Sequence, residues 1–341
     1  MDSAMFHSAV SADRIVELGY AFRGAKALMS AVELGVFAQL SSHPLTCEEL
    51  SAQIGIAPRG ARDFFDALVG LGLLVRDERG RYANTTEAEH YLDPRRTTYL
   101  GGLLENLNAR EYGLWTSLTQ ALRSGEAQTG FEAARHFDTL YSDEDRLDFF
   151  MRGMTGATLP VAMALAKQFP WRDYRTMVDI GTAQGCLPVH IAQSWPHMTG
   201  GGFDLPPVHP FFERYVEARG LSERLQFYSG DFFKDPLPEA DVLVMGRVLH
   251  NWDLPTKKML LNKAYAALPR GGTLIVYERL IDDDRRHAVG SLLSSLNMLL
   301  MTAGGFDFTG RECMSWMDEV GFREMRLEPL SAGQSFVVGV K

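Results

Sequence analysis

Cysteine is scarce in this sequence of 341 residues, and basic side chains are outnumbered by acidic ones. The three cysteines, Cys47, Cys186 and Cys313, lie far apart and are odd in number, so neither a disulfide framework nor a cysteine-ligated metal site is expected. The formal net charge of -9 comes without any cluster of lysine and arginine. Because a nucleic acid is bound through a basic face, these absences argue against a nucleic-acid partner.

Long apolar runs and a leader segment are also missing. No apolar run reaches the ~20 residues that a membrane-spanning helix needs, and the first ten residues, MDSAMFHSAV, lack a basic segment followed by an apolar core. No internal repeat or low-complexity stretch is visible. We therefore expect a cytoplasmic protein without a membrane partner, and the length favours about two domains.

The spacing of apolar residues changes near Phe169. Before this point apolar residues recur at helical spacing, and after it short strand-like runs alternate with helical stretches. The runs are TMVDI, TGGGFDL, RLQFYSG, ADVLVMG, GTLIVYE and SFVVGVK. This alternation predicts an α/β fold with a doubly wound parallel sheet, helices on both faces and a last strand that pairs antiparallel. We expect one domain over residues 1–167 and the sheet domain over residues 168–341.

The first domain is expected to be mainly helical. Residues 25–40, AKALMSAVELGVFAQL, have the pattern of one amphipathic helix. Thr46 is the expected N-cap of the next helix, with Glu49 completing a capping box. A third helix begins at Pro58, and residues 75–85, VRDERGRYANT, predict a small hairpin. Three helices and a hairpin make a winged-helix-like arrangement, and the acidic charge favours packing or dimerisation over DNA recognition.

The stretch MVDIGTAQGCLPV, residues 177–189, predicts a buried strand, a glycine turn and a helix. It lacks the G-x-G-x-x-G pattern of a dinucleotide site. Gly181 and Gly185 flank the turn, where a Cβ would block close approach of the backbone to a ligand. Asp179 makes the start of the turn acidic, which disfavours a pyrophosphate and suits a ligand with a positive charge. In doubly wound sheets, ligands lie beyond the carboxyl ends of the strands.

Two later strand ends add side chains to the same crevice. Asp204 and Leu205, in GFDLP, follow the turn at the spacing where a carboxylate can accept both ribose hydroxyls. Asp231 and Phe232, in SGDFF, offer a carboxylate for an exocyclic amine and an aromatic face for a base ring. Each feature alone also arises from close packing or helix capping. Together they favour a nucleoside without phosphates, and the expected positive charge fits S-adenosylmethionine.

The motifs MVDIGTAQG, FDLP, SGDFF, VLHNWD, ALPRGGTLIVYE and TAGGFDFT together resemble those of class I S-adenosylmethionine-dependent O-methyltransferases. The resemblance is to the caffeate and acetylserotonin type, which includes bacterial tailoring enzymes, and the first domain resembles that family's dimerisation domain. It implies a Rossmann-like catalytic domain, S-adenosylmethionine as cofactor, S-adenosylhomocysteine as product, and a homodimer formed through the N-terminal domain. The implied acceptor is a hydroxyl of a small aromatic metabolite. Ala183 stands where the family usually has the middle glycine of its turn.

Three residues match the family's catalytic positions. His250, in VLHNWD, lies just past a predicted buried strand and resembles the general base that removes the hydroxyl proton. Glu278, at the end of TLIVYE, resembles the glutamate that orients this base. Asp307 stands where the family usually has a second glutamate. Its shorter side chain predicts that the contact to His250 is lost or bridged by water.

Two further positions near His250 depart from the family. Asn251 replaces the usual aspartate, which removes a charge beside the imidazole and bears on how a second polar group of the acceptor is held. Gly246 stands where plant members direct a lysine at the cofactor carboxylate, and the neighbouring Arg247 is the candidate to replace it. The histidines show no paired metal-ligand spacing, so no metal is expected.

The acceptor pocket is expected between the helical segment before residue 167 and the helix within RRHAVGSLLSSLNMLLMTAGG. Methionine adapts to flat aromatic rings, although each position could equally serve core packing. Asn297 is polar among leucines and methionines, so it needs a partner, and a polar group of the acceptor would be one. The lining positions matched by alignment are Phe150, Met154, Asn297, Met298 and Thr302, with Met301 and Phe306 nearby.

A second reaction stays open on the sequence alone. With the same fold and base, the methyl group could go to a carbon of an activated phenol or of an enolisable acid, and Asn251 and Asp307 keep that alternative open. Hydroxylation or decarboxylation, to which some family members have drifted, is disfavoured by the retained His250. A nucleoside-sensing transcriptional regulator would need a basic recognition face, and a dinucleotide-dependent oxidoreductase is disfavoured by the glycine turn.

Overall fold

The computed structural model describes residues 11–129, 143–331 and 333–341, and the chain forms two compact units. The first unit is Met1–Asn108 and the second is Ala109–Lys341, and the division falls in a π-helical turn, Leu107–Glu111. The helical segment directly before Phe169 therefore belongs to the unit that holds the sheet. The domain boundary after residue 167, which follows the change in apolar spacing, stays a prediction.

Helices form most of the first unit. They are α1 Asp13–Glu33, α2 Val36–Leu40, α3 Cys47–Ile54, α4 Pro58–Gly70, α5 Thr86–Tyr91 and α6 Gly101–Asn106, and the two strands are β1 Leu74–Arg76 and β2 Tyr82–Asn84. Phe37, Leu50 and Phe65 from three of the helices pack with Tyr82 of β2 in one buried core. Burial of these large apolar side chains stabilises the unit by about 1.5–3 kcal/mol for each.

Two sequence predictions for this unit are confirmed and one is corrected. Thr46 caps α3 through a capping box: the Glu49 N–H donates to its hydroxyl at 3.2 Å, and its own N–H donates to Glu49 Oε2 at 2.8 Å. The hairpin is present as the antiparallel pair β1 and β2. Residues 25–40 do not form one helix, because Gly35, with φ of +72°, separates α1 from α2. A left-handed residue cannot continue a right-handed helix.

A seven-stranded sheet forms the centre of the second unit, in the order β5-β4-β3-β6-β7-β9-β8. The pairings from β5 to β7 are parallel, and β9 is antiparallel to both β7 and β8. The strand order reverses between β3 and β6, which is where doubly wound sheets hold their ligands. The strands are β3 Thr176–Ile180, β4 Thr199–Asp204, β5 Leu225–Ser229, β6 Val242–Gly246, β7 Thr273–Glu278, β8 Arg323–Pro329 and β9 Ser335–Val340.

The predicted parallel sheet with a late antiparallel strand is confirmed. All residues of β7 and nearly all of β6 are buried, as their continuous apolar sequences require. β8 was not predicted from the sequence, because most of its residues are exposed on both faces and show no period-two alternation. As an edge strand it is recognised only through its pairing with β9.

The helices of the second unit are α7 Leu118–Ser124, α8 Glu144–Gln168, α9 Cys186–Ser194, α10 His209–Glu217, α11 Leu254–Ala267, α12 Val289–Met301 and α13 Gly310–Val320. By length and composition, α8 is apolar enough to cross a membrane. Half of its apolar window is buried inside the protein, and the helix packs against α9. These are the properties of a core helix, and the charged residues in its first turns interrupt the apolar run.

Polar caps define where two helices near the proposed site begin. Asp253 caps α11 by accepting the Thr256 N–H at 3.0 Å. Thr309 and Glu312 form a capping box at the start of α13, with bonds of 2.7 and 3.0 Å. These caps anchor the backbone that follows the His250 turn and the Asp307 segment.

Candidate active site

The glycine turn connects β3 to α9 at the switch point of the sheet. Gly181, Ala183 and Gly185 all have a left-handed φ, at +75°, +51° and +87°. A Cβ on Gly181 would lie 2.9 Å from Val248 Cγ2. One on Gly185 would lie 2.6 Å from the ring of Phe212. Glycine is therefore required by both backbone shape and packing at these two positions, while Ala183 adopts the same conformation at a cost of about 1 kcal/mol.

Asp204 ties the end of β4 to this turn. Its Oδ2 accepts the Ala183 N–H at 2.9 Å, and its Oδ1 accepts the Leu205 N–H at 2.8 Å. The carboxylate is thereby held at the carboxyl end of the strand, in the place where the sequence predicts ribose binding. A carboxylate offers roughly four acceptor positions. These two backbone bonds therefore hold the carboxylate in a defined orientation at the strand end.

Asp179 is buried at the start of the turn. Burial raises the pKa of Asp179 to about 8, the Thr182 hydroxyl opposes the rise, and Asp204 adds to it. At neutral pH the carboxyl therefore holds its proton, in contrast to the acidic group that the sequence predicts. A positive charge bound beside it would favour the ionised form.

Asp231 and Phe232 follow β5 at the next strand end. Asp231 Oδ1 accepts the Phe233 N–H at 2.9 Å, and the carboxylate forms an ion pair with Lys234 at 2.9 Å. Burial acts to raise the pKa of Asp231, but these contacts outweigh it and the pKa lies below its usual value. The ring of Phe232 meets that of Trp252 edge to face, with centroids 6.0 Å apart. This strand end thus carries a charged carboxylate beside an aromatic surface.

His250 lies in a short 3-10 turn, Leu249–Asn251, between β6 and α11, and it is buried. Its Nδ1 is 2.6 Å from Oε2 of Glu278, the last residue of β7, and its backbone N–H donates to Oε1 at 3.3 Å. Glu278 is also buried, so this hydrogen bond is shielded from water. The contact orients the imidazole through Nδ1 and leaves Nε2 as the nitrogen that can accept a proton.

Asp307 approaches the same imidazole without a hydrogen bond to it. Its Oδ1 lies 3.9 Å from Nδ1 of His250, which is beyond hydrogen-bond reach. Direct contact between Asp307 and His250 is therefore absent, which agrees with the expectation for the shorter aspartate side chain. Burial raises the pKa of Asp307, against the effect of His250, and Glu278 adds to the rise. Glu278, whose Oε2 lies 2.6 Å from the same nitrogen, is therefore the main acceptor for the imidazole.

His250, Glu278 and Asp307 also form a cluster whose possible metal-ligand atoms all lie within 4.8 Å of one another. The closest pair, Nδ1 of His250 and Oε2 of Glu278, is 2.6 Å apart. Two ligands of one zinc ion, at bond lengths of ~2.0 Å in tetrahedral geometry, lie ~3.3 Å apart. The pair is thus spaced for a hydrogen bond. The expectation that the site uses no metal stays a prediction.

The loop after β6 is braced by Asn251. Its Nδ2 donates to the carbonyl oxygens of Arg247 and Val248 at 3.2 and 3.3 Å. Arg247 has a left-handed φ of +56°, and its N–H donates to the Tyr277 carbonyl oxygen at 3.0 Å. The amide N–H₂ of Asn251 therefore donates to the backbone. Its Oδ1 is the atom that could accept a hydrogen bond from the molecule to be methylated.

Gly246, at the end of β6, pairs with Tyr277 of β7. A Cβ at residue 246 would lie 1.8 Å from Cζ of the Tyr277 ring. Tyr277 is buried, so the ring cannot move into solvent to make room. A lysine at residue 246, the residue that plant members carry there, is therefore excluded while Tyr277 holds this position.

Helix α8 contributes two of the predicted acceptor-lining residues. The guanidinium of Arg110 lies 5.0 Å from the ring centroid of Phe150, and Met154 follows one helical turn later. Both lining residues are half-buried. The next residue, Thr155, donates a hydrogen bond to Gln184 Oε1 at 2.8 Å. The helix therefore connects the expected acceptor wall to the glycine turn.

Helix α12 carries Asn297, Met298 and Met301, and Thr302 follows directly after it. The polar groups among these predicted lining residues already have partners. Asn297 Oδ1 accepts the indole N–H of Trp115 at 2.9 Å, and its Nδ2 lies 3.2 Å from the sulfur of Met301. The Thr302 hydroxyl donates to the Met298 carbonyl oxygen at 2.8 Å. The partner that Asn297 needs is therefore Trp115, and the surface offered by this helix is mainly apolar.

Sequence reasoning missed a buried cation, Lys257 in α11. The buried residues of this helix are Lys257, Leu260, Leu261 and Ala264. Their spacing is that of one buried helix face. A lysine in register with two leucines and an alanine was the signal that could have revealed it.

Glu111 and Arg279 were also missed. Burial raises the pKa of Glu111, while nearby arginines and His250 favour its charged form. Burial lowers the pKa of Arg279, and repulsion from Arg247 adds to this effect. These residues stand far apart in the sequence and become neighbours only through the fold, so no local pattern marks them.

Comparison with known proteins gives matches along almost the whole chain. A family model described as an O-methyltransferase domain matches residues 115–323, and one described as an O-methyltransferase dimerisation domain matches residues 16–94. The tetracenomycin polyketide synthesis 8-O-methyl transferase TcmO of Streptomyces glaucescens is 40% identical over 327 residues, 96% of each chain. The N,N-dimethyltransferase OxyT of Streptomyces rimosus is 37% identical over 331 residues, again 96% of each. The crystal structure of human N-acetylserotonin methyltransferase in complex with S-adenosylmethionine matches with a TM-score of 0.90 and 29% identity, covering 99% of both chains.

Proposed function

This chain belongs to the family of S-adenosylmethionine-dependent O-methyltransferases, and we propose that it methylates a hydroxyl of a small aromatic metabolite. The observation that carries the proposal is the buried pair of His250 and Glu278, with Nδ1 and Oε2 2.6 Å apart at the ends of neighbouring strands. A histidine oriented in this way is suited to remove a hydroxyl proton. The similarity to an 8-O-methyl transferase of polyketide synthesis supports an acceptor of the polyketide class.

The donor set at the strand ends fits S-adenosylmethionine. Asp204 is oriented by two backbone bonds at the strand end where ribose binding is expected, and charged Asp231 beside Phe232 suits the edge and face of adenine. Bound there, the cofactor supplies an electrophilic methyl group on a sulfonium sulfur. We assign the cofactor site to Asp179, Gly181, Gly185, Asp204, Leu205, Asp231, Phe232 and Arg247.

The proposed mechanism uses His250 as the general base. Nε2 of His250 removes the proton of the acceptor hydroxyl, which makes that oxygen a nucleophile for the methyl group that the bound cofactor would supply, with S-adenosylhomocysteine as the leaving group. Glu278 then stabilises the resulting imidazolium through its hydrogen bond to Nδ1. Asp307 lies 3.9 Å from the same nitrogen and supports this charge more weakly.

The proposed acceptor wall orients a flat ring in front of His250. Phe150 and Met154 come from α8, and Met298 and Met301 come from α12. Apolar and sulfur-containing side chains suit an aromatic ring and exclude water from the reacting atoms. Among the polar candidates, Asn297 and Thr302 hold the wall in place, and Asn251 offers its Oδ1 to a second polar group of the acceptor.

Transfer to nitrogen or carbon is the second candidate. A relative named as an N,N-dimethyltransferase is 37% identical with the same coverage, so nitrogen is a reasonable acceptor atom. Carbon methylation of an activated phenol would use the same base. The buried His250–Glu278 pair favours a hydroxyl over an amine, because a neutral amine can attack a methyl group before it loses a proton.

The dimerisation domain of the family, matched over residues 16–94, supports assembly of this enzyme as a homodimer. We further propose that α3, α4 and the β1–β2 hairpin form a winged-helix-like arrangement. This arrangement serves packing or dimerisation. The proposal includes a cytoplasmic location with neither a nucleic-acid nor a membrane partner, as the acidic composition favours.

The test is incubation of the purified enzyme with S-adenosylmethionine labelled at the methyl carbon and a panel of acceptors. The panel contains phenols, catechols, hydroxynaphthoates, aminophenols and aryl keto acids, and the product is identified by carbon NMR. A methoxy signal is expected, and it should disappear in His250→Ala. A labelled N-methyl or ring-carbon methyl group in place of the methoxy signal would overturn O-methylation as the reaction.

A further inference from the structure

A lysine is buried against the segment that follows the proposed base and the segment that carries Asp307, and it has no part in the mechanism above. Lys257, in the first turn of α11, has 0% exposure. Its Nζ donates to the Trp252 carbonyl oxygen at 2.5 Å. The same Nζ lies 3.3 Å from the ring centroid of Phe306 and 5.4 Å from that of Phe308. Among the residues that the structure describes, no carboxylate comes within ion-pair distance of this ammonium, so a carbonyl and aromatic rings hold it.

These contacts join the two segments that carry the proposed base and its more distant carboxyl group. Trp252 follows His250 by two residues, and Phe306 directly precedes Asp307. Because both segments contact the same Nζ, displacement of either one breaks a contact to Lys257.

Acidic groups surround Lys257 from four parts of the fold. They are Glu278 in β7, Asp307 in the segment before α13, Asp253 at the N-cap of α11 and Glu312 in α13. Burial lowers the pKa of Lys257 to about 8, and these four groups limit the decrease. The side chain therefore carries its positive charge near pH 7, close to Glu278 and Asp307.

Charged groups of both signs act around His250. Glu278, Asp307 and Glu111 interact with the imidazole. Arg247 and Arg279 are cations that act on Asp307 and Glu111. Negative charge favours the imidazolium form. A general base must be neutral before the reaction, so a buried cation next to the two carboxyl groups favours the reactive form.

We propose that Lys257 is a positioning residue for His250: its ammonium offsets the charge of Glu278 and Asp307 and joins the turn of the base to the Asp307 segment. This role rests on the proposed function of His250. A buried charge destabilises a fold unless it is compensated, and a methionine would fill similar space. We therefore attribute the role of Lys257 to its charge and not to the volume of its side chain.

The test compares Lys257→Met, Lys257→Gln and Lys258→Met in the full-length protein bound to S-adenosylhomocysteine. The titration midpoint of the His250 imidazole is measured by NMR of ring-labelled histidine, with the resonance assigned by its loss in His250→Gln. Lys257→Met should raise the midpoint by about one pH unit, because the remaining carboxylates then stabilise the imidazolium. Lys257→Gln should raise it similarly while keeping a donor for the Trp252 carbonyl. Lys258→Met, on the same helix but paired with Glu319 at 2.5 Å, should leave it unchanged.

An unchanged midpoint in the two Lys257 variants would overturn the proposal. Melting curves show whether each variant folds, and if only the glutamine variant folds, it decides the outcome. Failure of both to fold would make the lysine a structural residue and would also overturn the proposal. The titration needs no acceptor, so its result is independent of whether oxygen, nitrogen or carbon is methylated.

Discussion

The two ends of the proposed site are built in different ways. At the cofactor end, Asp204 and Asp231 accept hydrogen bonds from backbone N–H groups of nearby loops. At the base end, His250, Glu278 and Asp307 are buried and come from three separate segments. Local chain geometry therefore orients the first set, while burial and mutual charge determine the behaviour of the second.

This difference predicts how each end responds to substitution. Loss of a backbone-anchored carboxylate should weaken ligand binding and leave the chemistry of the base intact. Loss of a buried group at the base end should change the protonation of its neighbours, because shielding from water strengthens their interactions. Four substitutions test this difference between the two ends.

His250→Ala should have the largest effect on activity. Removal of the proposed base should lower kcat by ~10²–10⁴-fold, while affinity for S-adenosylhomocysteine, measured by calorimetry, stays unchanged. The matched control is His287→Ala, because His287 is exposed. Loss of cofactor binding in His250→Ala would show that the two ends are one structural unit.

Asp204→Ala should show the reverse pattern. The ribose hydroxyls lose a charged acceptor, so the affinity for S-adenosylhomocysteine should fall by a free energy of ~1.5–3 kcal/mol, with kcat at saturating cofactor little changed. Asp173→Ala, at an exposed aspartate, serves as the control. Equal affinities in calorimetry for wild type and Asp204→Ala would remove Asp204 from the cofactor site.

Asp307→Asn should have a smaller effect on turnover. The carboxyl is 3.9 Å from the imidazole, and burial already raises the pKa of Asp307, so a neutral amide of the same size should change kcat by less than about tenfold. Steady-state rates across pH 6 to pH 9 measure this effect. A decrease as large as that of His250→Ala would assign Asp307 a direct role in the chemistry.

Asp179→Asn should affect activity least and reveal itself in stability. Burial raises the pKa of Asp179 from 3.8 to about 8, so between these values the folded state holds a proton that the unfolded state releases. The free energy of unfolding of the wild type therefore falls as the pH rises through this window, and the asparagine variant lacks this loss. Melting temperatures at pH 5, 6, 7 and 8 should rise for the variant relative to the wild type as the pH increases. A constant difference in melting temperature across this range would contradict the raised pKa of Asp179.

Features encoded within a few residues could be predicted from the sequence. The capping box of Thr46, the β1–β2 hairpin and the position of His250 just past a buried strand all depend on short-range patterns, and the structure contains each of them. The parallel direction of the first five strands of the sheet follows from the alternation of strand and helix along the chain.

Features that depend on distant packing could not be predicted. Asn297 finds its partner in Trp115, 182 residues earlier in the chain, and no spacing rule connects the two. The distance of 3.9 Å between Asp307 Oδ1 and His250 Nδ1 depends on how the segments that carry His250, Glu278 and Asp307 pack in the core. The helical spacing of Lys257 relative to Leu260, Leu261 and Ala264 places it on the buried face. A hydrophobicity pattern averaged over the helix does not reveal a single lysine among apolar residues.

The steric exclusion between Gly246 and Tyr277 also has a consequence for the evolution of this site. Any side chain added at residue 246 would overlap the buried ring, so such a change can be accepted only after residue 277 has become smaller. The order of the two substitutions is therefore determined in advance. A lineage that keeps Tyr277 keeps glycine at residue 246, whatever a longer side chain there would contribute to cofactor binding.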